Sequence, residues 1–489
     1  MTIPHFTWNK PSAADRQPFS PQAVFEAGLR HHHIANTAYP IHHRTTMRPY
    51  RVPRDRIQET AVAAWQDVDR LGLYVHIPFC AARCRYCEYT VVSREENVQE
   101  DAYFDRLLRE IELYRQKLGT ERKTLIGFDI GGGTPAFVKT DNIRRVVEAA
   151  RAAFAWQPGL CISIETTPII ADREPHKIAA LKSIGIDRIS MGVQTTHFKL
   201  ARSLGREYEG LTMLESAVQH IRQAGFDRFN IDLMYGFADQ SPQSWRDTVR
   251  QTIALAPEYI TLYQMRYKGT RLQDQAARVT RQDANRLYEI ACNQLWAAGY
   301  AGTPGKNTFS KTAGRSDDHE NPLVAGTSDY LTERVVKDTP YLGLGLGAQS
   351  FSNHTLAYNL GAASKSLRSY LQAVDAGQLP IQDLYHLPRE VAMAKMIAVS
   401  FYFGEIHRRH FAARFGVTLE EQYPHEVAFV LERGLMAYAG PYLRLTHKGV
   451  AHFNGVVALF YAGAVQDYLV HLDASWDTAS ADCDVKKAA

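Results

Sequence analysis

Three cysteines lie close together in the segment Cys80-Ala-Ala-Arg-Cys84-Arg-Tyr-Cys87. This segment directly follows an apolar run over 71–77, so a loop after a strand can fold three thiolates around one centre. A structural zinc site usually needs four protein ligands, and His76 could supply the fourth. A [4Fe–4S] cluster normally takes four thiolates, so three would leave one iron open for another ligand, as a catalytic centre needs. The spacing alone does not distinguish a zinc site from a [4Fe–4S] cluster.

The overall composition is that of a globular protein. The 489 residues are 45% hydrophobic and 22% charged, which are ordinary values. Six cysteines are too few for a disulfide scaffold. The 56 basic and 52 acidic residues leave a net charge of +4, which is too weak to indicate a nucleic-acid partner. Outside the cluster, Cys161 and Cys292 are expected to be small buried hydrophobes, and Cys483 to be incidental.

Strand-like runs alternate with helical patterns between residues 71 and 263. The six runs cover 71–77, 124–130, 161–164, 188–193, 229–234 and 259–263. This alternation predicts parallel β/α units, in an open sheet or a barrel-like arrangement. Active sites of β/α barrels are built at the carboxyl ends of the strands, where glycine, glutamate and other polar residues recur in this chain. The stretch 303–339 is rich in Gly, Ser, Asn and Asp and predicts long loops.

The ends of the chain show no targeting pattern. The first eight residues have no charged segment leading into an apolar core, so no secretory signal is expected. The longest apolar stretch, near 453–465, is too short to span a bilayer of about 30 Å. We therefore expect a soluble cytoplasmic protein with no membrane span. Residues 1–60 are rich in histidine and arginine, and a polar arm packed over a larger body is favoured there over metal binding. The histidines are His31, His32, His33, His42 and His43.

The residues around the cysteines carry a family resemblance. The segment Tyr74-Val-His-Ile-Pro-Phe-Cys80-x3-Cys84-x-Tyr86-Cys87 resembles the radical S-adenosylmethionine (radical SAM) superfamily, and more specifically its oxygen-independent coproporphyrinogen III oxidase-like (HemN-like) family. Further similar segments extend the resemblance over about residues 71–460; they are 131–135, 163–165, 188–194, 230–236, 342–350 and 443–449. The resemblance implies that Cys80, Cys84 and Cys87 hold a [4Fe–4S] cluster whose fourth iron binds S-adenosylmethionine. One electron from the cluster would cleave the sulfonium to a 5′-deoxyadenosyl radical.

The same resemblance assigns further residues to cofactor binding, and none to catalysis. Tyr74 precedes the cysteines, and Tyr86 lies between Cys84 and Cys87. Gly132, Gly133 and Thr134 match a turn near the methionine amino group, where the backbone must approach the ligand closely. The remaining positions are Glu165 at the ribose, Gln194 facing the cofactor, Arg206 on the carboxylate or sulfonium side, Asp232 as a ligand contact, Met234 lining the adenine, and Gly345 and Gly347 in a later glycine-rich loop.

The resemblance also implies the architecture. It predicts an α/β fold with a partial (β/α)6 radical SAM barrel, an N-terminal arm and a mainly helical, winged-helix-like C-terminal domain. The expected division is an arm over 1–60, the barrel and its extension over 61–355, a linker over 356–385, a HemN-like C-terminal domain over 386–470 and a loose tail over 471–489. Residues 435–449 are expected to form a two-stranded wing that packs against the barrel rather than binding DNA.

One departure from the family pattern bears on the reaction. The family's oxidases carry a further cysteine two positions after the third cluster cysteine, where this chain has Tyr89. This difference argues against strict coproporphyrinogen decarboxylation. The long loop region 303–350 and the N-terminal arm indicate a specialised substrate. We favour a class C methyltransferase or cyclopropanase branch, in which two S-adenosylmethionines transfer a methyl or methylene group to an sp² carbon of a small aromatic or conjugated substrate. The alternatives are oxidative decarboxylation of a tetrapyrrole and a haem chaperone or haem-degrading relative. A flavodoxin- or ferredoxin-like electron donor is implied, and the chain is expected to be a monomer.

Overall fold

The computed structural model describes residues 19–30, 45–92, 95–206, 210–311, 320 and 322–472. The histidines of 31–43, most of the predicted tail and Cys483 lie outside the described residues. The strands are β1 (Arg70–Ile77), β2 (Thr124–Gly132), β3 (Ala155–Trp156), β4 (Ile162–Thr166), β5 (Arg188–Gln194), β6 (Arg228–Tyr235), β7 (Tyr259–Gln264), β8 (Thr308–Ser310), β9 (Tyr341–Leu344), β10 (Gln349–Phe351), β11 (Thr355–Asn359), β12 (Ile381–His386), β13 (Glu405–His407), β14 (Met436–Ala439) and β15 (Tyr442–Leu445).

Helices follow most of these strands. They are α1 (Pro21–Arg30), α2 (Ile57–Ala63), α3 (Glu100–Leu118), α4 (Thr140–Ala153), α5 (Pro168–Arg173), α6 (Pro175–Ile184), α7 (Phe198–Ser203), α8 (Leu211–Gln223), α9 (Pro242–Ala254), α10 (Arg281–Ala297), α11 (Pro322–Ala325), α12 (Asp329–Lys337), α13 (Leu367–Asp375), α14 (Arg389–Ser400), α15 (Arg408–Phe415), α16 (Leu419–Gln422), α17 (Pro424–Glu432), α18 (His447–Ala451), α19 (Phe453–Ala458) and α20 (Gly463–His471).

Six parallel strands form the centre of the main sheet, in the order β1-β2-β4-β5-β6-β7. They are the six strands predicted from the sequence, so the partial (β/α)6 arrangement is confirmed. Their side chains are largely buried, as expected where helices cover a parallel sheet. Because all six strands run in the same direction, their carboxyl ends meet along one edge. The cysteine loop follows β1 at this edge.

The main sheet continues beyond the six central strands. β9 pairs in parallel with β1, and β10, β11 and β12 extend the sheet as antiparallel strands. The prediction of a linker over 356–385 is therefore wrong, because most of β11, all of α13 and most of β12 lie in that range. The prediction of loops over 303–339 is also only partly right, since β8 and α12 fall there. The strands and helices of 303–339 and 356–385 pair or pack with residues that are distant in sequence. Local composition does not reveal such long-range contacts.

The C-terminal region is mainly helical, with a small sheet ordered β13-β15-β14. The antiparallel pair β14–β15 follows α17, so the predicted wing is present. The region packs against the barrel: the Asn285 side-chain amide on α10 donates a hydrogen bond to the carbonyl of Ala451 at 3.1 Å. α1 packs against α19 in the same region, and a Cβ at Gly28 would lie only 2.6 Å from Ala458 Cβ.

One buried carboxylate joins α3 to the sheet extension. Glu110 accepts hydrogen bonds from the Gly345 backbone N–H at 2.9 Å, the Asn359 side-chain amide at 2.9 Å and the Tyr370 hydroxyl at 2.7 Å. Its side chain is fully buried, and this burial raises the pKa of Glu110 to about 7. The three donors come from distant points of the chain, so Glu110 fixes the loop after β9 against the barrel.

Among the described residues, every helix is too short or too polar to cross a bilayer.

Candidate radical SAM site

The cysteine loop is held at its start by the turn that follows β2. Gly133 N–H donates to Ile77 O at 2.8 Å, and Thr134 N–H donates to Phe79 O at 2.9 Å. This contact requires glycine, because a Cβ on Gly133 would lie 2.6 Å from Phe79 O and 3.0 Å from Cys80 Sγ. The glycine-rich turn therefore sets the position of the first cysteine.

The loop is also fixed beyond its third cysteine. The His76 imidazole Nε2 hydrogen-bonds to Thr90 O at 2.7 Å, and burial lowers the pKa of His76 to about 4. Gly347 packs on the same residue, since a Cβ there would lie 2.8 Å from Thr90 Oγ1. His76 therefore anchors the loop and faces away from the thiols, which argues against its service as a zinc ligand.

The three thiols are free and partly buried, and all three line one cavity. Among the described residues, their sulfur atoms do not form a group lying within 4.8 Å of one another. A single zinc ion bound at about 2.3 Å from each sulfur would hold them closer than that. The spread of Cys80, Cys84 and Cys87 suits a cluster in which each thiolate binds a different iron. Burial raises the pKa of Cys80 to about 12, so this thiol stays protonated unless a metal binds it.

The cavity has a volume of about 330 Å³ and lies at the carboxyl ends of the parallel strands. Nine of the predicted cofactor-binding residues line it together with the cysteines: Tyr86, Gly132, Gly133, Thr134, Glu165, Gln194, Arg206, Asp232 and Met234. They come from the cysteine loop, from β2, β4, β5 and β6 and from the segment after α7. The fold thus brings together residues that span 149 positions of sequence, from Tyr86 to Met234.

Three predicted contacts do not line the cavity. Tyr74 lies behind Glu165: the Tyr74 hydroxyl and the Glu165 carboxylate would lie 3.2 and 3.1 Å from a Cβ on Gly131. Its hydroxyl also hydrogen-bonds to His76 Nδ1 at 3.2 Å. Gly345 and Gly347 lie behind the cysteine loop, against Glu110 and Thr90. Tyr74 and the two glycines support the cavity wall.

Gln194 is held in an unusual conformation at the end of β5. Its φ of 70° lies in the left-handed region, which costs a non-glycine residue free energy and persists where the surroundings enforce it. The pairing of β5 with β6 shifts register between Gly192 and Gln194, and this bulge turns the side chain toward the cavity. Its buried Oε1 has no hydrogen-bond partner within the described part of the chain. An unsatisfied acceptor of this kind fits a donor on a bound ligand.

Arg206 connects the wall of the cavity to the cysteine loop. Its Nη1 donates to the Tyr86 hydroxyl at 2.7 Å and lies 3.7 Å from Cys84 Sγ. Its Nη2 donates to the carbonyl of Gly192. A guanidinium in this position stabilises negative charge on the second cysteine and can also meet a carboxylate.

Two carboxylates lie on the floor of the cavity. Burial, reinforced by the neighbouring Asp232, raises the pKa of Glu165 to about 8. Burial also raises the pKa of Asp232, whose carboxylate accepts hydrogen bonds from the Ser190 hydroxyl at 2.8 Å and the Asn230 amide at 2.7 Å. Glu165 is protonated near neutral pH in this environment, so it can donate a hydrogen bond as well as accept one. A cationic ligand would favour the charged form of both groups.

Several lining residues were not predicted from the sequence. Glu88 and Arg266 form an ion pair that joins the cysteine loop to the segment after β7. Tyr263 lines the cavity, and its hydroxyl accepts a hydrogen bond from Tyr402 of the C-terminal region at 3.1 Å. Tyr89, noted only as a departure from the family pattern, also lines the cavity. Glu88 and Tyr89 directly follow Cys87, so their place beside the cysteines is a local signal. Tyr263 and Arg266 belong to no short motif, and only the fold places them at the site.

A second group of candidate metal ligands lies away from the cavity. Glu320, His407 and His410 place their ligand atoms within 4.8 Å of one another. However, His407 Nδ1 accepts the His410 backbone N–H at 3.1 Å, which leaves the proton on Nε2, directed at Glu320. The Nε2 atoms of both histidines face the same Glu320 oxygen, at 2.9 and 3.8 Å, and the two imidazole rings are stacked at 3.8 Å. His407 therefore caps the start of α15 and pairs with Glu320.

Comparisons with known proteins agree with this geometry. The model of the radical SAM superfamily matches residues 74–252. The oxygen-independent coproporphyrinogen III oxidase of Synechocystis sp. is 25% identical over 410 residues, covering 80% of this chain and 84% of that protein. The Escherichia coli enzyme of the same name is 30% identical over 317 residues, covering 62% and 65%. The heme chaperone HemW of Haemophilus influenzae is 32% identical over 197 residues, covering 40% of this chain and 51% of that protein.

The fold has a solved counterpart. The structure of the coproporphyrinogen III oxidase HemN from Escherichia coli aligns with a TM-score of 0.67 and 24% identity, covering 84% of this chain and 93% of that one. The strand order and the cysteine loop agree with the radical SAM match, which covers residues 74–252. Within that superfamily, the chain is a homologue of the coproporphyrinogen III oxidase-like (HemN-like) proteins. This superfamily implies a [4Fe–4S] cluster and S-adenosylmethionine, and the spread thiols and the unsatisfied Gln194 acceptor fit that pair.

Proposed function

We propose that this protein reductively cleaves S-adenosylmethionine at a [4Fe–4S] cluster and uses the resulting radical on a small conjugated substrate. The observation that carries the proposal is the cavity itself, in which three free thiols face Glu165, Gln194 and Asp232. A cluster held by Cys80, Cys84 and Cys87 would supply the electron that breaks the sulfonium bond. Arg206 and Gln194 are placed to orient the ligand, and the carboxylates are placed to hydrogen-bond to it.

The fate of the radical is proposed from the charge of the cavity wall. Three arginines and three carboxylates line the cavity. Each arginine already has a protein partner: Arg83 donates to Cys87 O at 3.2 Å, Arg206 to Tyr86 and Arg266 to Glu88. A substrate with several carboxylates would have to displace these contacts, at a cost of about 1–3 kcal/mol for each buried group left unpaired. Because the charged groups of the cavity wall already have partners, the cavity favours an uncharged aromatic or conjugated substrate. The reaction proposed for it is methyl or methylene transfer from a second S-adenosylmethionine.

Oxidative decarboxylation of a tetrapyrrole is the second candidate. It is favoured by the Synechocystis sp. and Escherichia coli relatives, which are both named as oxygen-independent coproporphyrinogen III oxidases. The two candidates differ in their products. Methyl transfer releases S-adenosylhomocysteine, whereas decarboxylation releases carbon dioxide and no S-adenosylhomocysteine. If anaerobic turnover of conjugated substrates yields no S-adenosylhomocysteine, methyl transfer is refuted; if coproporphyrinogen III is consumed, the second candidate replaces it.

The cleavage step has a separate test. The protein is reconstituted anaerobically with iron and sulfide, reduced with dithionite and mixed with S-adenosylmethionine. We expect brown protein and formation of 5′-deoxyadenosine. Cys84→Ala removes one of three cluster ligands and should abolish both. Cys292→Ala is the matched control, because Cys292 is a buried thiol on α10 outside the cavity lining. If Cys84→Ala keeps its colour and its 5′-deoxyadenosine, the cluster assignment is wrong.

A further inference from the structure

The Tyr89 ring projects into the cavity from the end of the cysteine loop. It lines the cavity, and 55% of the residue's surface is exposed. At the same time protein surrounds it, because burial, reinforced by the nearby Glu165, raises the pKa of Tyr89 above its ordinary value. Both observations hold because the ring stands inside an open cavity instead of packing into a wall. The ring therefore occupies space that a bound ligand would otherwise fill.

The backbone that carries this ring is held on both sides. The Lys365 ammonium donates to the carbonyl of Tyr89 at 3.3 Å and to that of Glu88 at 3.4 Å. The His76 imidazole hydrogen-bonds to the carbonyl of Thr90 at 2.7 Å. A ligand that enters the cavity therefore meets a ring whose backbone is fixed, so that only the side-chain torsions of Tyr89 can move it.

The ring faces side chains that come from other walls of the cavity. Its phenol is close enough to Glu165 on β4, Asp232 on β6 and Tyr402 of the C-terminal region for an electrostatic interaction with each. Tyr402 in turn donates to the Tyr263 hydroxyl at 3.1 Å, which holds that wall in place. Within the described part of the chain, the Tyr89 hydroxyl forms no hydrogen bond. The ring therefore narrows the space between the cysteine loop and these walls without being fastened to them.

We propose that Tyr89 determines the width of the substrate: its ring leaves room for a narrow planar molecule and excludes a wider one, such as a tetrapyrrole macrocycle. The proposal rests on the proposed function, because it specifies which conjugated molecules can reach that site. In an apolar pocket, a mismatch of a single methylene already changes discrimination by about 10- to 200-fold. Aromatic rings also stack favourably on planar conjugated molecules, so the same ring stabilises the substrate that it admits.

Two uncharged fluorescent probes, 2-naphthol and the wider 1-hydroxypyrene, test the proposal. Each is titrated anaerobically into protein reconstituted with its cluster and S-adenosylmethionine, and the dissociation constant is measured from the change in fluorescence. We expect Tyr89→Ala to bind 1-hydroxypyrene at least about 10-fold more tightly than the wild type does. Its affinity for 2-naphthol should not rise, because the stacking ring is lost. Tyr89→Phe keeps the ring and should keep the wild-type affinities for both probes.

The matched control is Tyr438→Ala. Tyr438 lies on β14, is 46% exposed and lies outside the cavity lining, so the control removes the same ring elsewhere. The proposal is overturned if Tyr89→Ala gains no affinity for 1-hydroxypyrene, or if Tyr438→Ala or Tyr89→Phe gains as much. Consumption of coproporphyrinogen III by the wild type would overturn it as well.

Two further outcomes are kept apart by the design. If Tyr89→Ala loses its cluster, which iron content shows, Tyr89→Ser is titrated in the same way and decides the question. Failure of the proposed function appears separately, as absence of 5′-deoxyadenosine from the wild type with dithionite, whereas the probe titrations still decide the role of Tyr89.

Discussion

Gly133 offers the sharpest test of how the glycine-rich turn supports the cluster. In Gly133→Ala, the new Cβ would lie 2.6 Å from Phe79 O and 3.0 Å from Cys80 Sγ. Ordinary contact begins near 3.4 Å, so the backbone at Phe79 must retreat by about 0.8 Å. Strain of this kind costs about 1–3 kcal/mol. Metal–ligand distances tolerate only about 0.2 Å, so Cys80 loses its position for iron before the fold is lost.

The assay measures iron and sulfide per chain after anaerobic reconstitution, together with the free energy of unfolding in urea. We expect a folded protein whose iron content and 5′-deoxyadenosine yield fall severalfold. Gly225→Ala is the control, because Gly225 has a φ of +87° and no neighbour within 4 Å. The left-handed backbone alone costs an alanine about 1–2 kcal/mol, so the control is matched in stability and leaves the cluster intact. Wild-type iron content in Gly133→Ala would refute the reasoning.

Two further predictions concern a buried acid and a strained glutamine. The pKa of Glu110 is about 7 in the folded protein and near 4.3 when unfolded, so its contribution to stability is full below pH about 4.3 and is lost as the pH rises through 7. The loss amounts to about 3–4 kcal/mol of the free energy of unfolding. Urea unfolding at several pH values should show this decrease in the wild type and not in Glu110→Gln. An equal pH dependence in the two proteins would contradict the assignment. Gln194→Gly relieves a φ of 70°, so the melting temperature of the variant should not fall. The substitution also removes the hydrogen-bond acceptor in the cavity. We therefore expect the half-saturating concentration of S-adenosylmethionine to rise about 10-fold, which corresponds to a loss of about 1.4 kcal/mol of binding free energy. Unchanged saturation would show that Gln194 does not contact the ligand.

Much of the barrel was predictable because its signals are local. Each central strand is a short apolar run bounded by polar or glycine residues, and each helix buries residues at helical spacing. β5 was predicted over 188–193 and extends over Arg188–Gln194. The segment 356–385 was misjudged for the opposite reason. β11 and β12 are stabilised by pairing with each other and with β10, and hydrogen bonds between distant strands leave no periodic trace in either strand alone.

By itself, the sequence determined the chemistry that the protein can support. The three cysteine positions and the residues Glu165, Gln194 and Asp232 at strand ends were all readable, because each residue's type and its place after an apolar run are local facts. The tertiary structure decided which of these groups face the same space. It placed Tyr74 behind Glu165 rather than in the cavity. Successive side chains of a strand point to opposite faces of the sheet. Tyr74 also lies before the carboxyl end of β1, below the layer of side chains that lines the cavity.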